Sequence, residues 1–512
     1  MHRLDTGGSV KRSAPCIAVL GTGSDVGKSV LVAGLCRYFA DLGVRVAPFK
    51  AQNMSNNSGV TPEGLEMGRA QIVQAEAARI APHADMNPIL LKPTSEIGAQ
   101  VVVLGEAIAN SSAKTYHTMK EGLFQVASEA LERLRSRYDL VILEGAGSCA
   151  EVNLMATDIV NFRMAAYADA PVLLVGDIHR GGIFAQLIGT LACIGPAERE
   201  RVTGFIINRF RGDPELFADG VQWIEAQTGK KVYGVVPWFS HFDIEAEDSV
   251  VIEKPKPAVP SSAADHRIGV IRLPHISNFT DFDPLKRIPG IELQYVEQPM
   301  KLDGFRALIL PGSKNTRADI AWLQRTGWAG RLIEYGTSGG HLLGICGGYQ
   351  MLGRVVADPE GLEGSPGEST GLGLLPVHTV LQAPKVTTRT EFRWGDAEGL
   401  GYEIHMGQTM HESAGRPLLA IRSRNGVICD DVDGCTAFEG RVMGTYLHGF
   451  FDMPAVTARW LSSIGLGALA AEAVHGPAGR DRAYDLLSEH LQAHLDLDAI
   501  RRLVEDACPS CS

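Results

Sequence analysis

A chain of 512 residues, 45% hydrophobic and 21% charged, exceeds what one hydrophobic core serves and predicts two domains or a little more. The formal net charge of −11 argues against a general nucleic-acid binder, which needs a basic face, and no apolar run reaches the roughly 18–20 residues of a spanning helix. Nine scattered cysteines do not make a disulfide framework. Met1–Gly8 lacks the apolar core of a secretory leader, so a cytoplasmic setting is expected.

In chain order, Cys16–Leu20 predicts a buried strand that ends in Gly21-Thr22-Gly23-Ser24-Asp25-Val26-Gly27-Lys28-Ser29. Val30 to Asp41 has apolar residues at helical spacing and stops at Leu42-Gly43. Val44–Phe49 predicts the next strand, followed by the polar run Lys50 to Ser58 and a helix from about Glu66 to Ile80. Gln100–Leu104, Leu140–Leu143, Val172–Val175, Val202–Ile207 and Val232–Val236 predict further strands, mostly separated by helix-length segments. This is the pattern of an α/β, doubly wound, mainly parallel sheet over residues 1–250.

Residues 251–266, rich in Pro, Ser and Ala, predict a linker. A second α/β pattern fills residues 267–460, with strands at Ile268–Leu273, Ala307–Leu310 and His341–Ile345 and a surface loop over Asp358–Gly373. Helices are expected from about Ala455 into an extension over residues 461–512. Cys508-Pro509-Ser510-Cys511 reads as a tail rather than a metal clip.

Two stretches carry chemistry. Gly21 to Ser29 ends in Gly-Lys-Ser between a strand and a helix, the context of a phosphate-binding loop, although five residues, not four, separate Gly21 from Gly27. The amides of Gly21, Thr22, Gly23, Ser24, Asp25, Val26 and Gly27 would cradle phosphates, Lys28 would reach the terminal ones, and Ser29 would ligate Mg²⁺. A further metal oxygen is expected from Glu144, at the carboxyl end of a buried strand, with Glu66 and Asp25 as weaker candidates. The side chains of Lys50, Gln52, Asn53, Ser55, Asn56, Asn57 and Ser58 could hold carboxylate oxygens, whereas solvation is the default for Lys92 and Arg180. In Gly344-Ile345-Cys346-Gly347-Gly348, an apolar run breaks onto a thiol flanked by glycines, which is how a strand-to-helix turn displays a nucleophile. An oxyanion would then be met by the amides of Gly347 and of Gly312 or Ser313.

The loop, Glu144-Gly145-Ala146-Gly147 and Phe205-Ile206-Ile207-Asn208-Arg209-Phe210 resemble the dethiobiotin synthetase group of phosphate-loop ligases. That resemblance implies ATP as cosubstrate, Asn208 on the adenine and Val235-Val236-Pro237 around it. Lys50 to Ser58, Asn87 to Pro93 and Asp177 to Ala185 narrow the resemblance to the cobyric acid synthase family. It implies a glutamine-dependent ligase of cobalamin biosynthesis that amidates the b, d, e and g carboxylates of adenosylcobyrinic acid a,c-diamide through acyl phosphates. Its partners would be glutamine, ATP and a corrinoid, with no nucleic acid and no membrane.

Residues 267–460 are similar to class I glutamine amidotransferases, in which Cys346 would attack glutamine and His448 would serve as base and acid. Many of these carry a glutamate two residues after that histidine; here Phe450 stands there. Glu403 is a candidate orienting partner, and His405 has no assigned role. Two alternatives stand beside this reading: a cobyrinic acid a,c-diamide synthase, and a partitioning-type ATPase with a degenerate amidotransferase domain, although Thr22 and Gly23 stand where such ATPases have an early lysine.

Overall fold

The computed structural model describes residues 13–95, 98–239, 266–472 and 476–506. Residues 251–265 of the expected linker and the Cys508–Cys511 tail lie outside them. No helix among the described residues is long and apolar enough to cross a membrane.

Six apolar runs build the first sheet, in the spatial order Lys231–Pro237, Val202–Phe210, Val172–Asp177, Cys16–Gly21, Leu140–Glu144, Val46–Phe49. Every pairing is parallel, and strands covered by helices on both faces read as continuous apolar stretches. Their carboxyl ends gather the phosphate loop, Glu144, Lys50, Asp177 and Asn208 on one side, where open α/β sheets bind ligands. The helix Lys28–Asp41 starts at Gly27, whose φ is 93°.

Three expectations change here. Glu66 does not open a helix: Glu66–Gly68 is a short strand paired with Ser58–Val60, and the helix is Arg69–Ala77. The strand expected at Gln100–Leu104 is Gly98–Val103 and lies outside the parallel sheet. It belongs to a second, four-stranded layer ordered Gln52–Met54, Ile89–Ser95, Gly98–Val103, Glu106–Ser112.

The second domain carries another six-stranded sheet, ordered Glu292–Val296, Arg267–Ile271, Ala307–Leu310, His341–Ile345, Val442–Thr445, Cys435–Ala437. It is parallel apart from the Cys435–Ala437 edge. Over Asp358–Gly373 the expected loop is corrected in part, because Gly367–Thr370 pairs antiparallel with Val355–Asp358. A further antiparallel sheet contains Val386–Trp394 and Ala397–His405.

The terminal helices fold back on the first domain. Gly34 in the Lys28–Asp41 helix leaves room for Leu491 of the Pro477–His494 helix, and Tyr484, Leu487 and Leu491 are buried there. Arg37, 0% exposed, pairs with Asp481 at 2.6 Å and Asp485 at 2.7 Å.

Candidate active sites

At the carboxyl end of the first sheet lies a cleft of about 420 Å³, lined among others by Ser24, Lys28, Lys50, Gln52, Asn53 and Gly147. Lys28 Nζ donates to the carbonyls of Gly23 (3.0 Å) and Gly147 (2.9 Å), so the lysine folds over the loop that a phosphate chain would fill. Glu144, buried beside the Lys50 that lines this cleft, gathers several donors. Ser29 Oγ donates to Glu144 Oε1 at 2.7 Å and Lys50 Nζ to the same oxygen at 3.0 Å; Gln74 donates to Oε2. Burial alone would push this carboxyl up, but the Lys50 ammonium and the bonds from Gln74, Ser29 and Lys50 hold it below the usual carboxylate range.

The fit of the expected cosubstrates rests on these atoms. A Cβ at Gly27 would collide with the Asn208 amide, so the turn needs glycine for its close approach as well as its positive φ. Ser29 Oγ and Glu144 converge, and Mg²⁺ characteristically takes one or two protein oxygens and completes its shell with phosphate and water. No group of three or more His, Cys, Asp or Glu poised for a metal occurs among the described residues.

Of two further expected residues, Asn208 contacts the phosphate loop and Glu66 is placed away from it. Asn208 Nδ2 donates to the Val26 carbonyl at 2.8 Å, which braces the phosphate loop. Glu66 does not join Ser29 and Glu144: its Oε1 accepts from Lys92 (2.6 Å) and Ser58 (2.8 Å), its Oε2 from Lys385 (2.5 Å). Glu66 is therefore withdrawn from the metal set, and Lys92, only 3% exposed, is no solvated residue. Arg180, by contrast, is exposed.

The polar run divides as well. Lys50, Gln52 and Asn53 line the cleft. Ser55, Asn57 and Ser58 are buried and lead to the second domain, where Thr280 Oγ1 donates to Asn57 Oδ1 (3.3 Å) and Asn278 Nδ2 to the Ser58 carbonyl (2.7 Å). Asn56 Oδ1, between them, is buried with no hydrogen-bond partner among the described residues.

The second site is built on the Cys346 turn. Cys346 has φ 50° and ψ −108°, the strained corner that lifts a nucleophile between strand and helix. Gly348 packs against the Leu310 backbone, and a Cβ on Gly347 would lie 2.8 Å from the Ser313 amide nitrogen. The amides of Gly347 and Ser313 are thus neighbours. Gly312 abuts the His448 ring, whose Cε1 would lie 3.2 Å from a Cβ there.

His448, 1% exposed, has Nδ1 2.7 Å from Asp281 Oδ2, and the Gly449 amide donates to Asp281 Oδ1 at 3.1 Å. Burial alone would lower the imidazole; the Asp281 carboxylate and the Cys346 thiol raise it to about 10. Tyr402 lies along the ring at 5.4 Å, and its hydroxyl accepts from Asn278.

Asp281 therefore orients His448, and Glu403 does not. Glu403 accepts from Arg424 at 3.1 Å and Thr390 at 3.2 Å. Phe450, in the usual glutamate position, is a core side chain stacked on Phe392. His405 lies on the Tyr446 ring, centroids 3.7 Å apart. Asp281 sits 167 residues before the histidine. The signal that could have found it is Asn278-Phe279-Thr280-Asp281-Phe282-Asp283, carboxylates among aromatics just beyond the carboxyl end of the domain's first strand.

Residues 17–251 match the CobQ/CobB/MinD/ParA nucleotide binding domain, and residues 267–456 the CobB/CobQ-like glutamine amidotransferase domain. The chain is 51% identical to the cobyric acid synthase of Chlorobaculum tepidum, over 94% of this chain and 97% of that one. It is 49% identical to that of Chlorobium phaeobacteroides, over 96% and 98% of the two chains, and 48% identical to that of Rhodobacter capsulatus, over 95% and 99%. With a nucleotide-binding half and an amidotransferase half matched in the same order and at nearly full length, the chain belongs to the cobyric acid synthase family of glutamine-dependent amide ligases.

Proposed function

We propose that the protein converts adenosylcobyrinic acid a,c-diamide to adenosylcobyric acid by amidating its b, d, e and g carboxylates, drawing ammonia from glutamine and activation from ATP. The observation that supports this most is that one chain carries both a Cys346–His448–Asp281 constellation and a phosphate-loop cleft whose Lys50 pairs with Glu144. A carboxylic acid and ammonia do not form an amide readily, so the acid oxygen must first become a leaving group.

In the amidotransferase site, Cys346 attacks the glutamine amide carbon and His448 protonates the departing nitrogen, releasing ammonia and leaving a thioester that water hydrolyses. Asp281 holds the imidazole in register and stabilises its charged form. The amides of Gly347 and of Gly312 or Ser313 meet the oxyanion.

In the cleft, Lys28 and the loop amides hold the ATP phosphates, Ser29 and Glu144 would hold Mg²⁺, and the ion supplies charge neutralisation for phosphoryl transfer. Lys50, Gln52 and Asn53 line the same cleft as Lys28 and would position the corrin carboxylate. Its attack on the γ-phosphorus of ATP breaks the bond to the β-phosphate, releasing ADP and yielding an acyl phosphate; ammonia then adds to the acyl carbon, loses a proton, and phosphate leaves.

The test is to incubate the protein with glutamine, MgATP and each corrinoid, and to weigh the products. Four acid-to-amide conversions on the a,c-diamide are expected. Amidation of cobyrinic acid that halts after two would overturn the assignment.

A further inference from the structure

Where the phosphate cleft opens, apolar side chains stand in water. Met54 is 53% exposed, Val152 63% and Leu154 51%, and Met54, Leu154 and Met155 line the cleft beside Lys28 and Lys50. A lone exposed leucine is ordinary on a protein surface, but apolar side chains gathered at the mouth of a cavity mark a ligand or an interface.

The chain holds them there. Met54 ends the strand Gln52–Met54, whose alternation buries Asn53 and turns Met54 outward. Val152 and Leu154 sit on the segment that follows Glu144, which is tied at both ends. At its start the Cys149 amide donates to the Gly21 carbonyl at 2.9 Å, at the entry to the phosphate loop. At its end the Asp158 carboxylate accepts from the amides of Val160 and Asn161 at 3.0 Å each, and the Asn161 side chain exchanges bonds with the Ala146 backbone at 3.1 and 3.0 Å. In between, the amides of Leu154 and Met155 both reach the Glu151 carbonyl, at 2.8 and 3.0 Å. A segment fastened in this way keeps apolar surface hydrated, a cost that folding does not recover and that a ligand can.

Lys120, on the helix Ala113–Arg137, lines the same cleft, and its Nζ donates to Thr157 Oγ1 at 3.2 Å. It forms no ion pair with a carboxylate among the described residues, so its charge is available to a ligand. The features together describe a ligand that is broad, apolar on its face and anionic at its edge. A corrin is such a molecule, a methyl-bearing macrocycle ringed by carboxylates and amides. With its side chains it is too large for a cleft of about 420 Å³ that also takes phosphates, so one edge enters and the ring rests on the rim. Four carboxylates spaced around that edge must each reach the same γ-phosphate, so the ring has to be held in more than one orientation. Hydrogen bonds to fixed ring positions would favour one of these, whereas contact with thioether and branched apolar side chains is non-directional.

We propose that Met54, Val152 and Leu154 form a platform on which the corrin ring lies, while Lys50 draws in the carboxylate to be activated and Lys120 holds a neighbouring one. This rests on the ligase reading above and adds where its substrate sits.

The experiment assays the intact protein with saturating glutamine and MgATP over a range of the a,c-diamide. Adenosylcobinamide, whose peripheral carboxylates are all amides already, is added as a probe for the ring alone. It should compete with the a,c-diamide in the wild type, an arm that needs no variant to fold. In the double variant Val152→Ser/Leu154→Ser, KM for the a,c-diamide should rise about tenfold and inhibition by adenosylcobinamide should weaken in step, with kcat and the KM values for ATP and glutamine unmoved. Lys120→Met should raise KM for the a,c-diamide and leave inhibition by adenosylcobinamide as it is. An unmoved KM for the a,c-diamide in the double variant, or a wild type in which adenosylcobinamide does not compete, would overturn the platform. So would a double variant that changes only its sedimentation, which would give this face to a second copy of the chain. No amide from either glutamine or ammonia in the wild type would overturn the ligase reading. Equilibrium binding of the a,c-diamide, followed by its visible absorbance, then decides the platform separately: affinity lost in the double variant supports it, and equal affinity overturns it.

Discussion

Asp281 shows how a single carboxylate can set the chemistry of a site it does not adjoin in sequence. Its oxygen lies 2.7 Å from His448, and the imidazole is consequently held protonated well above its ordinary value. A group raised on folding stabilises the fold fully below its unfolded pKa and loses that contribution as pH rises through the folded value. For His448 this window runs from about 6.5 up to about 10. Asp281→Asn should move the alkaline limb of the glutaminase pH profile to lower pH and cut turnover about 10²- to 10⁴-fold. Amidation from free ammonia should be spared. An unmoved limb in pH-rate measurements would refute the orienting role. The cysteine turn, the histidine and the phosphate loop were legible because each chemistry demands its residues at fixed local spacing. Asp281 was not, because the fold brings it to His448 from another strand end, and the familiar place for an orienting carboxylate holds Phe450.

At the scale of elements, the Lys28–Asp41 helix does two jobs: it presents Lys28 and Ser29 at its start and receives the Pro477–His494 helix along its side. Burial of a leucine-sized side chain contributes about 1.5–3 kcal/mol, so Leu487 and Leu491, each 1% exposed, form a substantial seam. Gly34 permits the approach, since a Cβ there would run into the Leu491 side chain. Gly34→Val should cost about 1–3 kcal/mol by overpacking and expose the C-terminal helices to protease; an unchanged denaturation midpoint and digestion pattern would contradict the seam. The strands of the two large sheets were readable as apolar runs, whereas those of the smaller layers were mostly not. Gln52–Met54 and Ile89–Ser95 contain Asn53, Lys92 and Pro93, residues that local pattern assigns to loops. They are strands because Ile89 and Leu91 pack into the core of the first domain and Ile89–Ser95 is paired on both sides.

At the scale of the whole molecule, two sites share one nitrogen atom but can be silenced separately. Lys28→Ala should abolish amidation from both glutamine and free ammonia, because the phosphate-holding cation is lost. Cys346→Ala should abolish only the glutamine-driven reaction. Assays with each nitrogen source decide this, and loss of both in Cys346→Ala would contradict two separable centres.

The returning Pro477–His494 helix has one more consequence, for how the chain is made. The apolar flank of the Lys28–Asp41 helix is translated early, but the helix that covers it is synthesised roughly 440 residues later. At ribosomal rates of about 5–20 residues per second, that flank waits about 20–90 s. The nascent synthetase half therefore keeps this helix flank uncovered until the Pro477–His494 helix has been made.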